Sequence, residues 1–509
     1  MLYAKLYSAT VAGIDGYIVE VEVDISNGLP QFDIVGLPDS AVRESRDRVR
    51  AAIKNSGNQF PMMRITTNLA PADMKKEGSG FDLAISLGIF FSSVHLKTEQ
   101  LQHTLLFGYL FLEGVLRPLN GILPMVMEAK ARGFTSVMLP ASNADEAVLV
   151  DGLDVFPVQT LKQAIAFLKG EEHIEPYVRK STVNDDRDPE EDFADVRGQL
   201  HVKRALEVAA AGMHNILLIG PPGSGKTMLA RRLPSILPNL STTEALEVTK
   251  IYSTAGLLNE RGKLITTRPF RSPHHTISAA GLIGGGTIPK PGEVSLAHHG
   301  VLFLDEMPEF SKSALEVLRQ PLEDCEVTLS RARAVFTFPS NFMMVGSLNP
   351  CPCGFFGSTS DTCTCTPHQI QRYRSKLSGP LLDRIDIHIE VPKVDYQTLT
   401  DTGRSESSET IRERVNQAHT LQLARYKSEN FFTNATMHSK AIRSYCQLTK
   451  ESRQLLEQSF DTLGLSARAH DRILKVARTI ADLEGTEQIE IPHIAEAIQY
   501  RSLDRKYWE

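Results

Sequence analysis

The stretch Gly220–Thr227, with the sequence Gly-Pro-Pro-Gly-Ser-Gly-Lys-Thr, constrains the fold of this chain more than any other. It follows the apolar run Asn215–Ile219 and precedes Met228–Leu233, which is typical of a helix. A strand, a glycine-rich turn and a helix in this order predict a phosphate-binding loop (P-loop), whose backbone N–H groups point at phosphate oxygens. Lys226 is expected to contact the β- and γ-phosphates of ATP, and Thr227 to bind Mg²⁺. The predicted nucleotide contacts from this loop are Gly220, Pro221, Pro222, Gly223, Ser224, Gly225, Lys226 and Thr227.

A pair of carboxylates ends a second apolar run, Gly300–Leu304. Successive apolar residues predict a buried parallel strand, and open α/β sheets bind their ligands at the carboxyl ends of such strands. Asp305 is therefore expected to hold the Mg²⁺ shell, and Glu306 to be the general base that activates water. Taken alone, the pair could be solvated residues at a strand end, but the upstream P-loop favours the catalytic interpretation.

Composition and charge are those of an ordinary cytoplasmic protein. The 509 residues predict about three domains, and the hydrophobic and charged contents of 42% and 23% are usual for globular chains. No apolar run approaches the roughly 20 residues that cross a bilayer, and no secretory signal opens the chain, so we expect a cytoplasmic location without a membrane partner. The net charge of -6 does not exclude a nucleic-acid binder, because a ring-shaped motor needs only a local basic surface.

Residues 1–170 are expected to form an α/β or α+β domain with a mixed sheet. Alternating apolar residues predict its strands, and Asp39 and Ser40 are expected to cap a helix that runs through Arg50. The other predicted elements are strands over 17–25, 32–36, 64–69 and 136–140 and helices over 81–91 and 124–132.

Two segments of this region, 68–83 and 108–114, resemble the proteolytic domain of Lon proteases. The resemblance implies a ribosomal-S5-like fold, in which Lon uses a lysine of depressed pKa to activate a serine. Alignment places Gly80 at the nucleophile and Pro124 at the lysine, and neither residue can do this chemistry. Ser79 is one position away but has no evident base. The resemblance therefore implies a catalytically inactive domain that serves as a scaffold or as a collar in contact with DNA.

An acidic stretch without apolar periodicity predicts a solvated linker over 171–192. The ATPase core is expected over 193–400, with a helix over 200–211 leading into the P-loop strand. Residues 192–199 resemble the segment that cradles adenine in AAA+ ATPases of the magnesium-chelatase type, which makes Val196 an expected nucleotide contact.

Two further positions resemble AAA+ signatures. Asn349 ends the apolar strand 341–348 and matches sensor 1. In AAA+ ATPases sensor 1 hydrogen-bonds the γ-phosphate or its water, and its strand lies between the P-loop strand and the strand that ends in the carboxylate pair. Arg384 matches the arginine finger of magnesium chelatases and replicative MCM helicases, which implies that it stabilises the γ-phosphate of the next subunit's ATP. A finger supplied by a neighbour implies a ring. An ion pair of Arg384 with Asp383 or Asp386 is the alternative.

Residues 401–509 are expected to form the helical lid of the AAA+ module. Apolar residues on one face predict a helix over 472–481, and another is predicted over 491–498. The resemblance implies a sensor 2 arginine at the start of the third lid helix, where Arg468 matches best and Arg472 is the second choice.

Two insertions are expected to supply a DNA-binding surface. The first, 268–292, is too rich in Gly and Pro for a regular element, and it stands where the magnesium-chelatase and MCM branch carries a pore-facing insert. The second is a hairpin over 326–338, which lines the pore and grips DNA in the same branch. A solvated hairpin edge protected by its charges is the alternative. The predicted DNA contacts are Arg268, Arg271, Lys290, Arg331 and Arg333.

Four of the six cysteines form two Cys-X-Cys pairs, Cys351 with Cys353 and Cys363 with Cys365. The spacing predicts a four-thiolate zinc site that holds a loop on the ATPase core. It is tighter than the usual Cys-X₂-Cys, and reduced structural thiols are the alternative in a cytosolic chain.

Together these features resemble the YifB/ComM family across nearly the whole chain. The expected fold class is α/β, with an S5-like Lon-type N-terminal domain, an AAA+ core with a parallel sheet and a C-terminal helical lid. The resemblance implies a hexameric ATPase that uses ATP and Mg²⁺, moves on single-stranded and branched DNA, and promotes integration of transforming DNA, with a recombinase as a further partner.

Other classes of function stay open at this point. One is a metal-insertion subunit of magnesium chelatase, which acts on a protein partner and to which a Lon-like domain is expected to be foreign. A second is a magnesium-chelatase-like ATPase that remodels proteins and does not act on DNA. Another is an ATP-dependent protease, which Gly80 and Pro124 disfavour.

Overall fold

The structure is a computed structural model that describes residues 2–72, 75–76, 78, 80–94, 101–178, 191–258, 262–286, 289–331, 334–357, 362–394, 405–463 and 466–503. The chain divides into two compact units, of which the first contains residues 1–184 and 245–265 and the second contains residues 185–244 and 266–509. Most of the predicted acidic linker lies outside the described residues, so the linker and the predicted domain boundaries stay predictions.

A mixed β-sheet forms the core of the first unit, as predicted. Its strands and a small accompanying ribbon are β1 Leu2–Ala12, β2 Asp15–Ser26, β3 Gln31–Val35, β4 Arg64–Ala70, β5 Thr104–Leu106, β6 Tyr109–Leu110, β7 Leu116–Arg117, β8 Ser136–Pro140 and β9 Asp154–Val158. Among the described residues the sheet has seven strands in the order β3-β4-β2-β1-β5-β8-β9, and β6 pairs with β7. Alternation along β2 buries Val19, Val21 and Val23 on one face, which fixes the register of this strand.

Helices pack against this sheet. They are α1 Ser40–Asn55, α2 Asp82–Val94, α3 Ile122–Ala131, α4 Ala144–Ala147 and α5 Leu161–Leu168. Asp39 caps α1 as predicted, because its Oδ1 accepts a hydrogen bond from the Val42 N–H at 2.7 Å. The strands and helices predicted for this region are confirmed, with ends that differ by a few residues.

A parallel β-sheet forms the core of the second unit. The strands of this unit are β10 Ile216–Ile219, β11 Phe270–Arg271, β12 Gly284–Gly285, β13 Lys290–Pro291, β14 Val301–Leu304, β15 Glu326–Arg331, β16 Ala334–Pro339, β17 Met343–Leu348 and β18 Ile387–Glu390. Among its described residues, five of them form the parallel sheet, in the order β11-β14-β17-β10-β18. Every residue of β10, β14 and β17 is buried, which explains their uninterrupted lack of charge.

Helices of the ATPase core alternate with these strands. They are α6 Leu200–Gly212, α7 Lys226–Arg232, α8 Thr242–Ala255, α9 Ala279–Ile283, α10 Glu293–Leu296, α11 Lys312–Glu316, α12 Pro321–Asp324, α13 Pro367–Arg374 and α14 Gly379–Leu382. From residue 245 onward, α8 belongs to the first unit. The predicted helix before the P-loop strand is confirmed as α6, and the predicted helix after the loop as α7.

The prediction that the insertion 268–292 contains no regular element is wrong. It begins with β11, which joins the parallel sheet beside β14, and it contains α9 and the β12–β13 ribbon. Ser278 caps α9 by accepting a hydrogen bond from the Gly281 N–H at 3.1 Å, and Gly284 ends the helix at a φ of 97°. The glycines and prolines of the insertion therefore lie within and between short helices and strands. The hairpin predicted over 326–338 is confirmed, with β15 and β16 paired antiparallel.

The chain after the core is helical, as predicted for the lid. Its helices are α15 Ser408–Arg425, α16 Ser439–Tyr445, α17 Lys450–Leu463, α18 Ala467–Leu483 and α19 Ile491–Gln499. The predicted helices over 472–481 and 491–498 correspond to α18 and α19. Across the described part of the chain, every helix is too short or too polar to cross a lipid bilayer.

Candidate active site

Three neighbouring strands of the parallel sheet end at the candidate active site. β17 lies between β14 and β10, so the strand order predicted for sensor 1 is confirmed. Because parallel strands end at the same edge of a sheet, the P-loop, the carboxylate pair Asp305–Glu306 and Asn349 meet there.

The P-loop backbone depends on its glycines. Gly223 and Gly225 have φ angles of 74° and 87°, in the left-handed region that other residues avoid, and Gly225 immediately precedes α7. A Cβ at Gly220 would lie 2.2 Å from the Val391 carbonyl oxygen, so a side chain there would push the loop away from β18. The hydroxyl of Ser224 is buried and has no hydrogen-bond partner among the described residues.

Lys226 and Asn349, predicted separately, contact each other. The Lys226 Nζ donates to the carbonyl oxygens of Gly220 and Pro221 at 2.8 and 2.9 Å, and to the Asn349 Oδ1 at 3.2 Å. Burial lowers the pKa of Lys226 from its ordinary value, and the carboxylate pair acts in the opposite direction. The three hydrogen bonds hold the ammonium group over the loop.

Asp305 organises the opposite side of the site. Its Oδ2 accepts a hydrogen bond from the Thr227 hydroxyl at 2.8 Å, and its Oδ1 accepts one from the Ser347 hydroxyl. The Ser347 hydroxyl in turn accepts from the Glu306 N–H at 3.1 Å. Ser347 was not predicted, although a hydroxyl inside a buried strand was an available signal. Glu306 is exposed and has a left-handed φ of 51°, a conformation that is uncommon for residues other than glycine.

These groups fit ATP and Mg²⁺. Hydroxyl and carboxylate oxygens, such as those of Thr227 and Asp305, are the ligands that Mg²⁺ prefers. A Cβ built on Gly223 would meet no atom of the described residues within 4 Å, so phosphates have room beside the loop N–H groups. The Ser224 hydroxyl belongs to the same loop, is buried and has no partner among the described residues.

Val196, the expected adenine contact, is buried in a segment that a lysine anchors. Its carbonyl oxygen accepts hydrogen bonds from the Lys203 Nζ at 2.7 Å and from the Ser405 hydroxyl at 2.9 Å. Burial lowers the pKa of Lys203. Sequence reasoning missed Lys203, because nothing local marks a lysine on an amphipathic helix as buried.

Arg384 and Arg468 lie together, in a cleft of about 410 Å³ that we call the finger cleft. The alternative that Arg384 pairs with Asp383 or Asp386 is wrong about the partner, because its guanidinium pairs with Glu323. Asp383 instead lies 3.8 Å from Arg468. Among the described residues that line this cleft, none belongs to the P-loop. The residues lining it include Glu323, Arg384, Asp386, Arg468, Arg472 and Lys475.

A buried network fixes the segment that carries Arg384. Asp386 is 1% exposed, and its carboxylate binds the Arg472 guanidinium and the His214 Nδ1, the latter at 3.1 Å. Burial opposes the charge of Asp386, but Arg472 and His214 outweigh it and hold the pKa of this carboxyl below its ordinary value. The Asn215 Nδ2 donates to the Arg384 carbonyl oxygen at 3.1 Å, and its Oδ1 accepts from the Met344 N–H at 2.8 Å. Asn215 therefore connects the start of β10 to β17 and to the Arg384 segment.

The predicted DNA contacts have different surroundings. Arg268 is only 7% exposed and donates to the Pro238 and His299 carbonyl oxygens, both at 2.7 Å, so as a phosphate donor it was a wrong choice. Arg271 forms a two-pronged ion pair with Glu293 at 2.7 and 2.8 Å.

Of the other predicted DNA contacts, the structure describes Lys290 and the backbone of Arg331. Lys290, on β13, is exposed. Arg331 ends β15, where only its backbone is described, and Arg333 lies outside the described residues.

The four predicted metal ligands converge. The Sγ of Cys351 lies 3.4 Å from that of Cys353 and 3.7 Å from that of Cys363, and the Cys353 and Cys363 sulfurs are 3.6 Å apart. Cys365 completes a group in which all four sulfurs lie within 4.8 Å of one another.

The two positions aligned with the Lon dyad are structural. Pro124 is buried in the first turns of α3, and the Gly80 carbonyl oxygen accepts a hydrogen bond from the Gly108 N–H at 2.9 Å. Ser79 lies outside the described residues.

Comparison with known families matches most of the chain. A family model described as magnesium chelatase, subunit ChlI, matches residues 192–399, and its C-terminal counterpart matches residues 405–501. A third model, described as subunit ChlI of Mg-chelatase, matches residues 21–143. That last match corrects the expectation that the N-terminal region is foreign to chelatase-type sequences.

Individual relatives extend the likeness to the full length. Competence protein ComM of Haemophilus influenzae is 44% identical over 510 residues, covering 99% of this chain and 98% of the relative. The protein YifB of Escherichia coli is 43% identical over 508 residues, with 99% and 98% covered. Lon protease 2 of Bacillus subtilis is 33% identical over 148 residues, 28% of this chain and 26% of the protease, which supports the Lon-like part of the predicted fold. The full-length identities and the three chelatase-type matches show that the chain belongs to the YifB/ComM family of magnesium-chelatase-like AAA+ ATPases.

Proposed function

We propose that this protein is a ring-forming ATPase that moves on DNA, drives branch migration, and so promotes integration of transforming single-stranded DNA during natural transformation and recombination. The observation that carries the ring is the separation of the two halves of the ATPase machinery. Arg384 and Arg468 line a cleft to which, among the described residues, the P-loop contributes nothing. Both arginines are then available to the ATP of a neighbouring copy, and six copies are the expected ring. The role in transformation rests on the full-length identity of 44% to a competence protein.

Within one copy, the P-loop side supplies binding and activation. The loop N–H groups and Lys226 hold the phosphates, and Thr227 and Asp305 hold Mg²⁺, which neutralises the charge that develops on the phosphates. Asn349, 3.2 Å from the Lys226 Nζ, orients the γ-phosphate or the attacking water. Glu306 accepts the proton of that water, and its exposed position leaves its carboxylate free to reach it.

The neighbouring copy completes the site. Arg384 releases Glu323 and stabilises the charge on the γ-phosphate, and Arg468 takes the sensor 2 role beside it. Arg472 is the weaker candidate for sensor 2, because its guanidinium is already bound to the buried Asp386. The exchange of the Arg384 ion pair from Glu323 to a phosphate would couple ATP binding to the position of α12, on which Glu323 lies.

The DNA surface that we propose is narrower than the predicted one. Lys290 on the β12–β13 ribbon, Arg331 at the end of β15 and the predicted contact Arg333 remain in it. The buried Arg268 is left out, and the ion-paired Arg271 contributes little. Repeated around a ring, such residues make a basic channel on an acidic chain. A recombinase is the expected protein partner, because branch migration follows strand invasion.

A second function is favoured by a separate observation. Family models described as magnesium chelatase subunit ChlI match three segments, including the N-terminal one, which suits an ATPase that remodels a protein and does not act on DNA. The four cysteines take no direct part in the proposed hydrolysis of ATP.

Strand exchange on three- and four-stranded DNA junctions with ATP tests the proposal. We expect the full-length protein to move the junction and Lys226→Ala to bind DNA without moving it. Lys290→Ala combined with Arg331→Ala should weaken DNA binding and flatten its salt dependence, with Lys440→Ala, an exposed lysine of the lid, as the matched control. ATP turnover that ignores every DNA, together with absent binding at low salt, would leave the protein-remodelling function standing.

A further inference from the structure

We propose that Cys351, Cys353, Cys363 and Cys365 hold one zinc ion, and that this ion keeps the loop after Asn349 seated on the P-loop. The metal site itself is independent of the proposed motor. Its effect on ATP hydrolysis rests on the proposed roles of Asn349 and the P-loop.

The sulfur geometry is that of a tetrahedral thiolate site. Zinc–sulfur bonds of about 2.3 Å place the sulfurs of a tetrahedron roughly 3.8 Å apart. The Cys351–Cys363 and Cys353–Cys363 separations of 3.7 and 3.6 Å come close to that value. They are far longer than the roughly 2.05 Å of a disulfide bond, and all the described cysteines are free thiols. Four thiols that point at one shared centre are better explained by an ion than by packing, because sulfurs gain little from facing one another.

Backbone groups support the sulfurs from outside. The Cys353 N–H donates to the Cys365 Sγ at 3.4 Å, and the Phe356 N–H donates to the Cys351 Sγ at 3.3 Å. Such N–H groups orient metal thiolates and offset their negative charge. The Arg374 guanidinium, 4.8 Å from the centre of the Phe356 ring, adds a nearby positive charge.

The loop that carries the ligands rests on the ATP site. Gly354 has a φ of 86°, and a Cβ built on it would lie 2.3 Å from the Pro222 Cδ of the P-loop. The loop begins directly after Asn349 and leads into α13, whose Arg374 Nε donates to the Pro350 carbonyl oxygen at 3.3 Å. An ion that closes this loop therefore holds the segment that follows Asn349 and presses on the loop that binds phosphate.

Metal analysis of the full-length protein tests whether the four cysteines bind zinc. Protein purified under reducing conditions should contain one zinc per chain, and Co²⁺ exchanged into it should give the visible absorption of a tetrahedral tetrathiolate site. Cys363→Ser combined with Cys365→Ser should lose the metal, and Cys446→Ala, a buried thiol of the lid, should keep it. Metal-free protein that takes up no Co²⁺, iron in place of zinc, or Cys351–Cys353 disulfides found by mass spectrometry would each overturn the assignment.

Substitutions of two glycines in the same loop test whether the loop is seated on the P-loop. Gly354→Ala should keep its zinc but lower kcat about tenfold or more, because its Cβ would push on Pro222 of the P-loop and a misplacement of about 1 Å can cost about 10²-fold. Gly357→Ala is the matched control, because Gly357 has a similar φ of 80° but its added Cβ would meet no described atom within 4 Å. A zinc-selective chelator, with Mg²⁺ kept in excess, should produce the same fall in kcat, and added zinc should reverse it. Equal activity of the two variants would show that the loop is not seated on the P-loop, whatever the DNA assays give.

Discussion

The P-loop site and the finger cleft differ in how well their polar groups are satisfied. At the P-loop, Lys226, Thr227 and Asp305 all have partners within the chain, and the buried Ser224 hydroxyl is the exception. In the cleft, the Nε groups of Arg384 and Arg472 are buried and have no hydrogen-bond partner among the described residues. An unpaired buried donor costs about 1–3 kcal/mol. The polar groups of the P-loop site are therefore nearly all satisfied within the chain, whereas the finger cleft keeps two unpaired donors in addition to its ion pairs. An ATP site shared between two copies would predict such a difference.

The largest expected effect is that of Arg384→Ala. Removing a trans-acting finger lowers kcat by about 10³–10⁵-fold, while ATP binding at the intact P-loop should change little. Turnover and nucleotide binding, measured on the same preparation, separate the two quantities.

Mixing two inactive variants is the control for this prediction. Lys226→Ala lacks a working P-loop but keeps its finger, and Arg384→Ala has the reverse defect. Rings assembled from both should regain part of the activity, because some interfaces join an intact P-loop to an intact finger. No recovery in rings shown to be mixed, or normal turnover by a monomer, would mean that each chain completes its own site.

Glu306→Gln should have the next largest effect. Loss of a general base costs about 10²–10⁴-fold in rate, and the isosteric amide leaves the hydrogen bond from the Glu306 N–H to Ser347 in place. We expect stable ATP-bound rings with little turnover, measured as retained nucleotide after rapid desalting. Full activity would move the general base to another residue.

The same contrast explains what could be predicted from the sequence. The P-loop and the carboxylate pair depend on contiguous residues that follow buried strands, so their local pattern was sufficient. The partners within the cleft depend on packing between distant segments. Glu323, 61 positions from Arg384, and Asn215, 169 positions from it, carry no local mark of their roles. Arg268 is the clearest example of a wrong inference from local pattern. An arginine in a Gly- and Pro-rich insertion is expected to be exposed, but the fold places Arg268 against the Pro238 and His299 carbonyl oxygens.

Arg472→Met tests whether the cleft depends on the charge beneath it. Breaking a buried ion pair by removing one partner costs about 3–5 kcal/mol of unfolding free energy, since Asp386 would keep an uncompensated charge. Because the pKa of Asp386 is held below its ordinary value in the folded protein, the wild type should lose this stabilisation as pH falls below about 4. The difference between wild type and variant, followed by denaturant unfolding, should therefore shrink toward acid pH. A difference that does not vary with pH would mean that Arg472 contributes packing alone.

Asn215→Ala has the smallest expected effect, but it distinguishes the P-loop site from the finger cleft most directly. Asn215→Ala removes one hydrogen bond to the Arg384 carbonyl oxygen and one from the Met344 N–H, each worth about 1 kcal/mol. Because only the bond to the Arg384 carbonyl oxygen acts on the finger, the expected fall in kcat is about fivefold. Which copy's ATP site loses activity is the informative part. In rings that mix Asn215→Ala with Lys226→Ala, the Asn215→Ala copies supply every working P-loop and the Lys226→Ala copies supply unaltered fingers. Turnover should therefore stay close to that of rings that mix wild type with Lys226→Ala. In rings mixed with Arg384→Ala, the Asn215→Ala copy supplies the finger, and turnover should fall. Asn416→Ala, an exposed amide on α15, should change neither mixture. Equal losses of turnover in both mixtures would mean that Asn215 acts through β10 and β17 on the P-loop of its own copy. It would then have no role in positioning Arg384 for the neighbouring copy.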